Sequence, residues 1–287
     1  MGKRTGGGEM TPDQQVRAGL AGAKRIVVKV GSSTLTHDNG FTHLARMDRL
    51  ALALAELMNN GHEVVLVTSG AIAVGMGKFQ LERRPAGMGM KQALAAVGQC
   101  ELMNLYSRLL SAYNRVVAQV LLTKTDLEDE TRSRNILNTF SSLFQYGVLP
   151  IVNENDTVSV EEIKSLTMFG DNDTLSAVVA RLIGADLLIL LSDIDGFYDA
   201  NPRENPDSRL IATVHEITDA MRACAGGSGT ARGTGGMQTK LNAAELATNA
   251  GCHMVLANGD NPLRILDILD GKPVGTLFVR KPASNNA

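Results

Sequence analysis

Short runs of Val, Ile and Leu alternate with helix-length amphipathic segments along most of the chain, from residue 25 to residue 279. Apolar runs separated by helices are typical of a parallel sheet that is covered by helices on both faces. The pattern predicts six strands, at 26–30, 63–67, 116–122, 148–152, 187–191 and 253–257, and a closing strand at 275–279. The fold class expected is therefore α/β.

Helical periodicity separates several of these strands. Apolar residues share one face of a helix that ends at the C-cap signal Asn59-Asn60-Gly61, namely Met47, Leu50, Leu54 and Leu57. Two more helices are predicted at 93–110 and 175–183, and either Asp173 or Thr174 is expected to be the N-cap of the second. A further helix is expected to start near Leu241.

The organisation predicted is a single domain at 23–282 behind a flexible extension at 1–22. The extension is Gly-rich and weakly apolar, although Thr11 and Gln14 have the spacing of a capping box for a short helix. No linker interrupts the alternation after residue 25, and no repeat is visible. We expect two lobes, at about 23–183 and about 184–282.

Composition narrows the class of protein. The 287 residues carry 28 Lys and Arg against 30 Asp and Glu, with 4% aromatic residues and no Trp, so neither a nucleic-acid partner nor an anionic membrane partner is expected. Three cysteines without a CxxC pair fit neither a disulfide framework nor a zinc cluster. The sequence also lacks a secretion signal and an apolar run of membrane length, so we expect a cytoplasmic protein.

The candidate chemistry lies where the predicted strands end. In parallel sheets ligands bind beyond the carboxyl ends of the strands, and small residues there let backbone amides approach an anion. Six segments have this character: Lys29 with 31–34, then 68–71, 153–156, 170–173, 192–196 and the Gly-rich run 233–240 that ends in Lys240. Each alone is typical of an ordinary turn, but six at one edge favour an anion site.

Three familiar alternatives lack their motifs. Lys240 follows Thr239 where a P-loop requires Gly, and no dinucleotide-binding Gly-x-Gly-x-x-Gly follows a strand. Five histidines are scattered without the spacing of metal ligands, and we expect them to be structural or solvated. The sequence therefore indicates anion chemistry without a Walker, Rossmann or zinc site.

The chain resembles the glutamate 5-kinases, a branch of the amino acid kinase family, from residue 24 to residue 279. The resemblance is carried by VVKVGSS (27–33), VTSGAI (67–72), KQ (91–92), AAVGQ (95–99), IVNEND (151–156), GDND (170–173) and GTGGMxTK (233–240). It implies a three-layer αβα sandwich around a mostly parallel sheet. Its N-terminal lobe would bind the amino acid and its C-terminal lobe ATP.

The activity implied is transfer of the γ-phosphoryl group of ATP to the γ-carboxylate of L-glutamate, the first step toward proline. The implied catalytic residues are Lys29, Lys240 and the acid Asp173, whose alternative role is an N-cap. Those for glutamate are Ser69, Gly70, Asn153, Asp156 and Asn172; those for ATP are Lys29, Gly31, Ser192, Asp193, Thr234, Gly235, Gly236, Met237, Gln238, Thr239 and Lys240. Mg²⁺ would be held mainly by the ATP phosphates, with no metal-ligating residue.

The resemblance also implies a homo-oligomer, a dimer or a tetramer, and a functional link to a glutamyl phosphate reductase. Inhibition by proline is implied, and the loop 165–169, which looks longer than the family pattern and borders the implied glutamate site, would alter it. Bacterial members often carry a C-terminal PUA domain associated with RNA binding. The sequence as given stops before one, so neither that domain nor RNA binding is expected.

Other functions stay open. A kinase for N-acetylglutamate, aspartate, carbamate or UMP would need the same fold, but the acid within 153–156 favours a free α-ammonium. A non-catalytic sensor of an amino acid or a nucleotide would not need lysines aimed at a transferring phosphoryl group. A detached piece of a bifunctional enzyme would need a reductase domain, for which this chain is too short.

Overall fold

The computed structural model describes residues 10–37, 41–81, 83–158, 171–202, 204–225 and 236–282. Within them eight strands form one sheet: β1 (Arg25–Val30), β2 (Glu63–Thr68), β3 (Val117–Leu122), β4 (Leu149–Glu154), β5 (Leu187–Ser192), β6 (Thr213–Val214), β7 (His253–Asn258) and β8 (Thr276–Phe278). Their order is β3-β4-β2-β1-β5-β7-β8-β6. Strands β1 to β5 and β7 are parallel, whereas β8 pairs antiparallel with β7 and parallel with β6.

All seven predicted strands are present, and the prediction missed the two-residue β6. Strands β2, β4 and β5 each continue one or two residues beyond their predicted ends. Thr68, Asn153 and Ser192 therefore lie inside strands rather than in the turns that follow them. This matters for function, because ladder hydrogen bonds hold these positions.

The described helices flank the sheet. They are α1 (Pro12–Gly19), α2 (Ser32–Leu35), α3 (Leu44–Asn59), α4 (Ala71–Lys78), α5 (Met88–Ser111), α6 (Lys124–Glu128), α7 (Glu130–Gln145), α8 (Asn172–Ile183), α9 (Asp219–Ala225), α10 (Met237–Asn249) and α11 (Arg264–Leu269), with a 3₁₀ turn at Leu20–Gly22. Among the described residues, no helix combines the length and the apolar character needed to cross a bilayer.

The core has two parts, one on each face of the sheet. Side chains alternate along a strand, so Ile26 and Val28 of β1 pack on one face while Val27 packs on the other. Helices α3, α5 and α11 cover the first face, and α7, α8 and α10 cover the second. This is the predicted αβα sandwich around a mostly parallel sheet.

The N-terminal segment differs from its prediction. Thr11 and Gln14 do form a capping box on α1. However, Arg17 is only 4% exposed and donates hydrogen bonds to the carbonyls of Val274 at 3.1 Å and Gly275 at 3.2 Å. Leu20 enters the core. The expectation of a mobile extension is therefore wrong for residues 10–22, which are docked on the far end of the chain.

Two glycines let α4 and α5 pack with their backbones in contact. A Cβ built on Gly98 of α5 would lie 1.7 Å from the carbonyl oxygen of Ala71, the first residue of α4. One built on Gly75 of α4 would lie 2.2 Å from the carbonyl oxygen of Leu94. Because α4 begins directly after β2, this close packing brings α5 next to the carboxyl end of the sheet.

The Gly98→Ala variant should lose about 3 kcal/mol or more of unfolding free energy, because no side chain can move to relieve a clash between backbone and Cβ. Urea denaturation measures the loss. Gly89→Ala is the matched control, since its Cβ on the same helix meets nothing within 4 Å. Equal stability of the two variants would contradict the close packing.

Candidate active site

The site is built at the carboxyl edge of the central strands. Lys29 lies in β1, between Val67 of β2 and Leu190 of β5, and is 8% exposed. Gly31 follows β1 and caps α2, and its Cα position leaves a Cβ only 3.6 Å from the Lys29 Nζ atom. The N-terminal end of α2 therefore lies beside the Lys29 ammonium, and a Cβ on Gly70, which precedes the helix after β2, would lie 3.5 Å from Ser32 Cα.

Asp173 joins the two lysines that sequence analysis singled out. Its carboxylate forms an ion pair with Lys29 through Oδ1, and Lys240 Nζ lies 3.1 Å from Oδ2. The Thr239 hydroxyl also donates to Oδ2 at 3.3 Å. Strand β1 and helices α8 and α10 each supply one charge, so segments far apart in sequence converge on one carboxylate.

Burial and charge compete at Asp173. Burial by itself would raise the pKa of this carboxyl, but the neighbouring charges and hydrogen bonds of Lys29 and Lys240 outweigh it and lower the pKa to about 2. The residue is 1% exposed and ionised at neutral pH. Asp173 is therefore an anchor for two cations rather than a group that exchanges protons with a substrate.

The prediction for the N-cap of α8 was wrong. The cap is Asp171, whose side chain accepts from Thr174 N at 2.8 Å. Asp173 and Thr174 instead lie in the first turn of α8. Burial, together with the nearby Asp173 charge, raises the pKa of Asp171. Because Asp171 satisfies the helix end, Asp173 is left to pair with the lysines.

Three residues of the predicted glutamate set meet in one hydrogen-bonded cluster. Asn172 Nδ2 donates to Ser69 Oγ at 2.7 Å and to Asn153 Oδ1 at 3.1 Å. It also lies 3.0 Å from the Thr68 carbonyl oxygen. Gly70, the N-cap of α4, follows with φ of +96°, a conformation that favours glycine. Asn172 directly precedes Asp173, so this cluster adjoins the lysine pair.

Asp156 lies two residues beyond β4 and is half-buried. Its turn is attached to the neighbouring strand, because the Asn155 N–H donates to the Leu122 carbonyl at 2.9 Å. The loop 165–169 and Gly170 lie outside the described residues. The proposed effect of that loop on proline binding stays a prediction.

Several of the predicted ATP residues lie at the end of β5 or in the first turn of α10. Ser192 ends β5, and its hydroxyl donates to Asp193 Oδ1 at 3.1 Å. Gly236 is the N-cap of α10, which begins at Met237 rather than near Leu241, so Lys240 is already helical. The side-chain amide of Gln238 donates to Asn242 Oδ1 at 3.1 Å.

Thr234 and Gly235, the other two residues of the predicted ATP run, lie outside the described residues. Their roles, like those of the rest of the run, stay predictions. What the structure adds is the position of α10, whose first turn carries Thr239 and Lys240 to the Asp173 carboxylate.

Sequence analysis missed one connection between segments that are far apart in the chain. Arg46 of α3 donates to the Ser33 carbonyl at 3.3 Å and forms an ion pair with Asp260 at 2.6 Å. In the same place a Cβ on Gly259 would lie 2.5 Å from the Thr34 hydroxyl. No sequence signal points to Arg46, since its partners follow different strands. These contacts hold the turn after β7 against helix α2, which follows β1.

Comparison with known proteins agrees with this geometry. Residues 24–258 match the sequence model of the amino acid kinase family. The chain belongs to that family. Among curated relatives, a glutamate 5-kinase of Clostridium perfringens (strain 13 / Type A) is 54% identical over 93% of this chain and 99% of its own length. A glutamate 5-kinase of Listeria innocua is 52% identical, over 93% of this chain and 96% of its own.

Solved structures of this amino acid kinase's fold are more distant in sequence. Carbamate kinase from Giardia lamblia bound to AMP-PNP aligns with a TM-score of 0.63 at 15% identity, over 91% of this chain and 100% of its own. UMP kinase from Ureaplasma parvum aligns with a TM-score of 0.58 at 15% identity, over 90% and 99%. At such identity the likeness establishes the fold alone. The curated relatives place this kinase among the glutamate 5-kinases.

Proposed function

We propose that this chain transfers the γ-phosphoryl group of ATP to the γ-carboxylate of L-glutamate, which gives L-glutamyl 5-phosphate in the first step from glutamate to proline. The observation that carries the proposal is the pair of buried lysines on Asp173, directly beside the Ser69, Asn153 and Asn172 cluster. The identity of 52–54% to glutamate 5-kinases supports the choice of substrate.

Phosphoryl transfer to a carboxylate depends on charge neutralisation more than on acid–base catalysis. The attacking carboxylate of glutamate is ionised at neutral pH, so no general base is needed. Its approach to a polyphosphate brings two anions together, and phosphoryl transfer depends mainly on positioning and electrostatic stabilisation. Lys29 would steady the transferred group, and Lys240 would act on the β,γ side of ATP. Asp173 holds both ammonium groups in position.

The site residues fit a magnesium ion that is carried by the nucleotide. The Asp173 carboxylate already pairs with two lysines and accepts from Thr239, and the nearby Asp171 carboxylate accepts from the Thr174 N–H as the helix cap. Such a donor set suits ATP phosphates with their own Mg²⁺. When bound, Mg²⁺ would neutralise charge that develops on the β- and γ-phosphate oxygens.

The two lobes would divide the substrates. We assign glutamate to the half at about 23–183, where the amides of Asn153 and Asn172 lie, and ATP to the half at about 184–282, which contributes Ser192 and Lys240. Asp156 would pair with the α-ammonium of glutamate. Inhibition by proline, a dimeric or tetrameric assembly, a partner reductase for the acyl phosphate product and a cytoplasmic location stay predictions.

Trapping of the acyl phosphate with hydroxylamine tests the proposal. With Mg·ATP we expect hydroxamate from L-glutamate and none from N-acetylglutamate or aspartate, and no ATP turnover with UMP. Turnover with a different acceptor only would keep the kinase and discard glutamate as its substrate. Calorimetric binding of glutamate or ATP without any turnover would instead favour a sensor.

A further inference from the structure

Gln99 extends the predicted glutamate cluster into the protein interior. This residue of α5 is 8% exposed, and its Oε1 accepts a hydrogen bond from Asn153 Nδ2 at 2.8 Å. Its Nε2 group is buried and has no hydrogen-bond partner among the described residues. A buried donor without a partner is costly, and such an exception in a native protein calls for an explanation.

The orientation of each amide follows from groups that cannot be reversed. The Glu154 backbone N–H can only donate, and it donates to Asn153 Oδ1 at 2.9 Å. The Thr68 carbonyl can only accept, and it accepts from Asn172 Nδ2. Asn153 must therefore present its Nδ2 to Gln99. A flipped Gln99 would place two NH₂ groups against each other, so Gln99 accepts and its own NH₂ is left over.

The same polarity determines what the Ser69 hydroxyl can do. Its oxygen accepts from Asn172 Nδ2 at 2.7 Å, so its proton is left to be donated to another acceptor. A hydroxyl carries one proton and two lone pairs. With Asn172 on the oxygen, Ser69 offers a donor, which suits a carboxylate ligand.

The packing of α5 makes Gln99 a rigid support for this chain of amides. Its neighbour Gly98 lies against the Ala71 backbone so closely that no Cβ would fit. Within the same helix, the fully buried Tyr106 bonds Thr68 through its hydroxyl at 2.8 Å. Helix α5 thus contacts the cluster at two points, on β2 and on β4.

We propose that Gln99 is a positioning residue for glutamate. Gln99 accepts a hydrogen bond from Asn153 Nδ2 and so holds Asn153 Oδ1 in place as the acceptor for Asn172 Nδ2. Asn172 in turn donates to the Ser69 oxygen, which leaves the Ser69 hydroxyl proton for a substrate carboxylate. This orientation of the amides leaves the NH₂ group of Gln99 without a hydrogen-bond partner among the described residues. The inference rests on the proposed function, because it concerns the glutamate side of the same site.

The Gln99→Met variant is the main test, since Met matches Gln in length and replaces the amide oxygen with a thioether sulfur, which accepts hydrogen bonds only weakly. The loss of one oriented hydrogen bond to a charged ligand should raise the KM for glutamate about tenfold, while kcat and the KM for ATP stay within about twofold. Asn104→Leu, at an exposed amide of α5, is the matched control and should change neither KM.

A double variant with Ser69→Ala shows whether Gln99 acts by positioning Ser69 or only by packing in the interior. If Gln99 acts through this chain of amides, Gln99→Met should add little to the KM for glutamate in a Ser69→Ala background. Full additivity would overturn the proposal. So would an unchanged KM for glutamate in folded Gln99→Met, or equal increases in both KM values.

Folding and the proposed function have their own controls. Gln99→Met removes the unpartnered NH₂ group of Gln99 but leaves the NH₂ group of Asn153 without its acceptor, so the melting temperature should stay close to that of wild type. If the Met variant does not fold, Gln99→Leu takes its place. Glutamate-dependent hydroxamate from wild type must be seen first. Its absence would refute the proposed function, whereas wild-type turnover with an insensitive Gln99→Met would refute only the role of Gln99.

Discussion

Lys240→Met should lower kcat for glutamate-dependent hydroxamate formation by about a thousandfold, because a preorganised charge on a transferring phosphoryl group contributes on that scale. Lys240 is 7% exposed and lies in the first turns of α10, so its position is set by the helix rather than by the substrate. Asp173 still pairs with Lys29 in this variant, and the protein should remain folded.

Lys281→Met is the matched control, because Lys281 is exposed and distant in sequence from the cluster. It should retain the kcat of wild type. Circular dichroism and melting curves of both variants check that they fold. A folded Lys240→Met protein with wild-type turnover would refute the catalytic assignment of this lysine.

Asp173→Asn should lower the free energy of unfolding by about 3–5 kcal/mol, since it removes the shared partner of two buried cations. Lys29 and Lys240 would then repel each other in the interior. Urea denaturation measures the loss. Asp171→Asn is the matched control, because Asn caps a helix as well as Asp and the change should stay within about 1 kcal/mol. Equal losses would show that burial alone matters.

The stability contributed by Asp173 should depend on pH in a defined direction. Its pKa is lowered from 3.8 to about 2, so the ionised form is favoured in the folded protein. The contribution is complete above the unfolded pKa and is lost as the pH falls through the folded one. The difference in unfolding free energy between wild type and Asp173→Asn should therefore shrink between about pH 4 and about pH 2. A constant difference would contradict the lowered pKa.

The convergence of Lys29 and Lys240 was predictable from sequence. Lys29 interrupts an apolar strand near its carboxyl end, and Lys240 follows a Gly-rich turn at the start of a helix. Parallel strands bring such residues to one edge of the sheet. The structure places both on Asp173, although their roles in catalysis stay predictions.

Sequence rules for helix capping did not identify the N-cap of α8, because two aspartates lie close together at the start of this helix. Asp171 and Asp173 are both good N-caps by composition, and only the three-dimensional position of the lysines decides between them. Gln99 posed a different difficulty. A glutamine inside a helical pattern indicates an exposed face, whereas the glycine before it lets α5 approach α4 until Gln99 is buried.

The docking of α1 could not be read from its own residues. Arg17 looks like an ordinary polar position of a short amphipathic helix, and its hydrogen-bond acceptors lie 195 to 258 residues further along the chain. Periodicity reports only which face of a helix is apolar. It does not identify backbone carbonyls that a strand end leaves for a guanidinium group.

That contact gives the chain a defined order of assembly during synthesis. The helix that contains Arg17 leaves the ribosome well before its acceptors at Ala212, Val274 and Gly275, which lie 195 to 258 residues further along the chain. Until then the guanidinium stays in water, since burying it without partners would be too costly. Helix α1 can consequently dock only after the segments that supply these carbonyls have been synthesised.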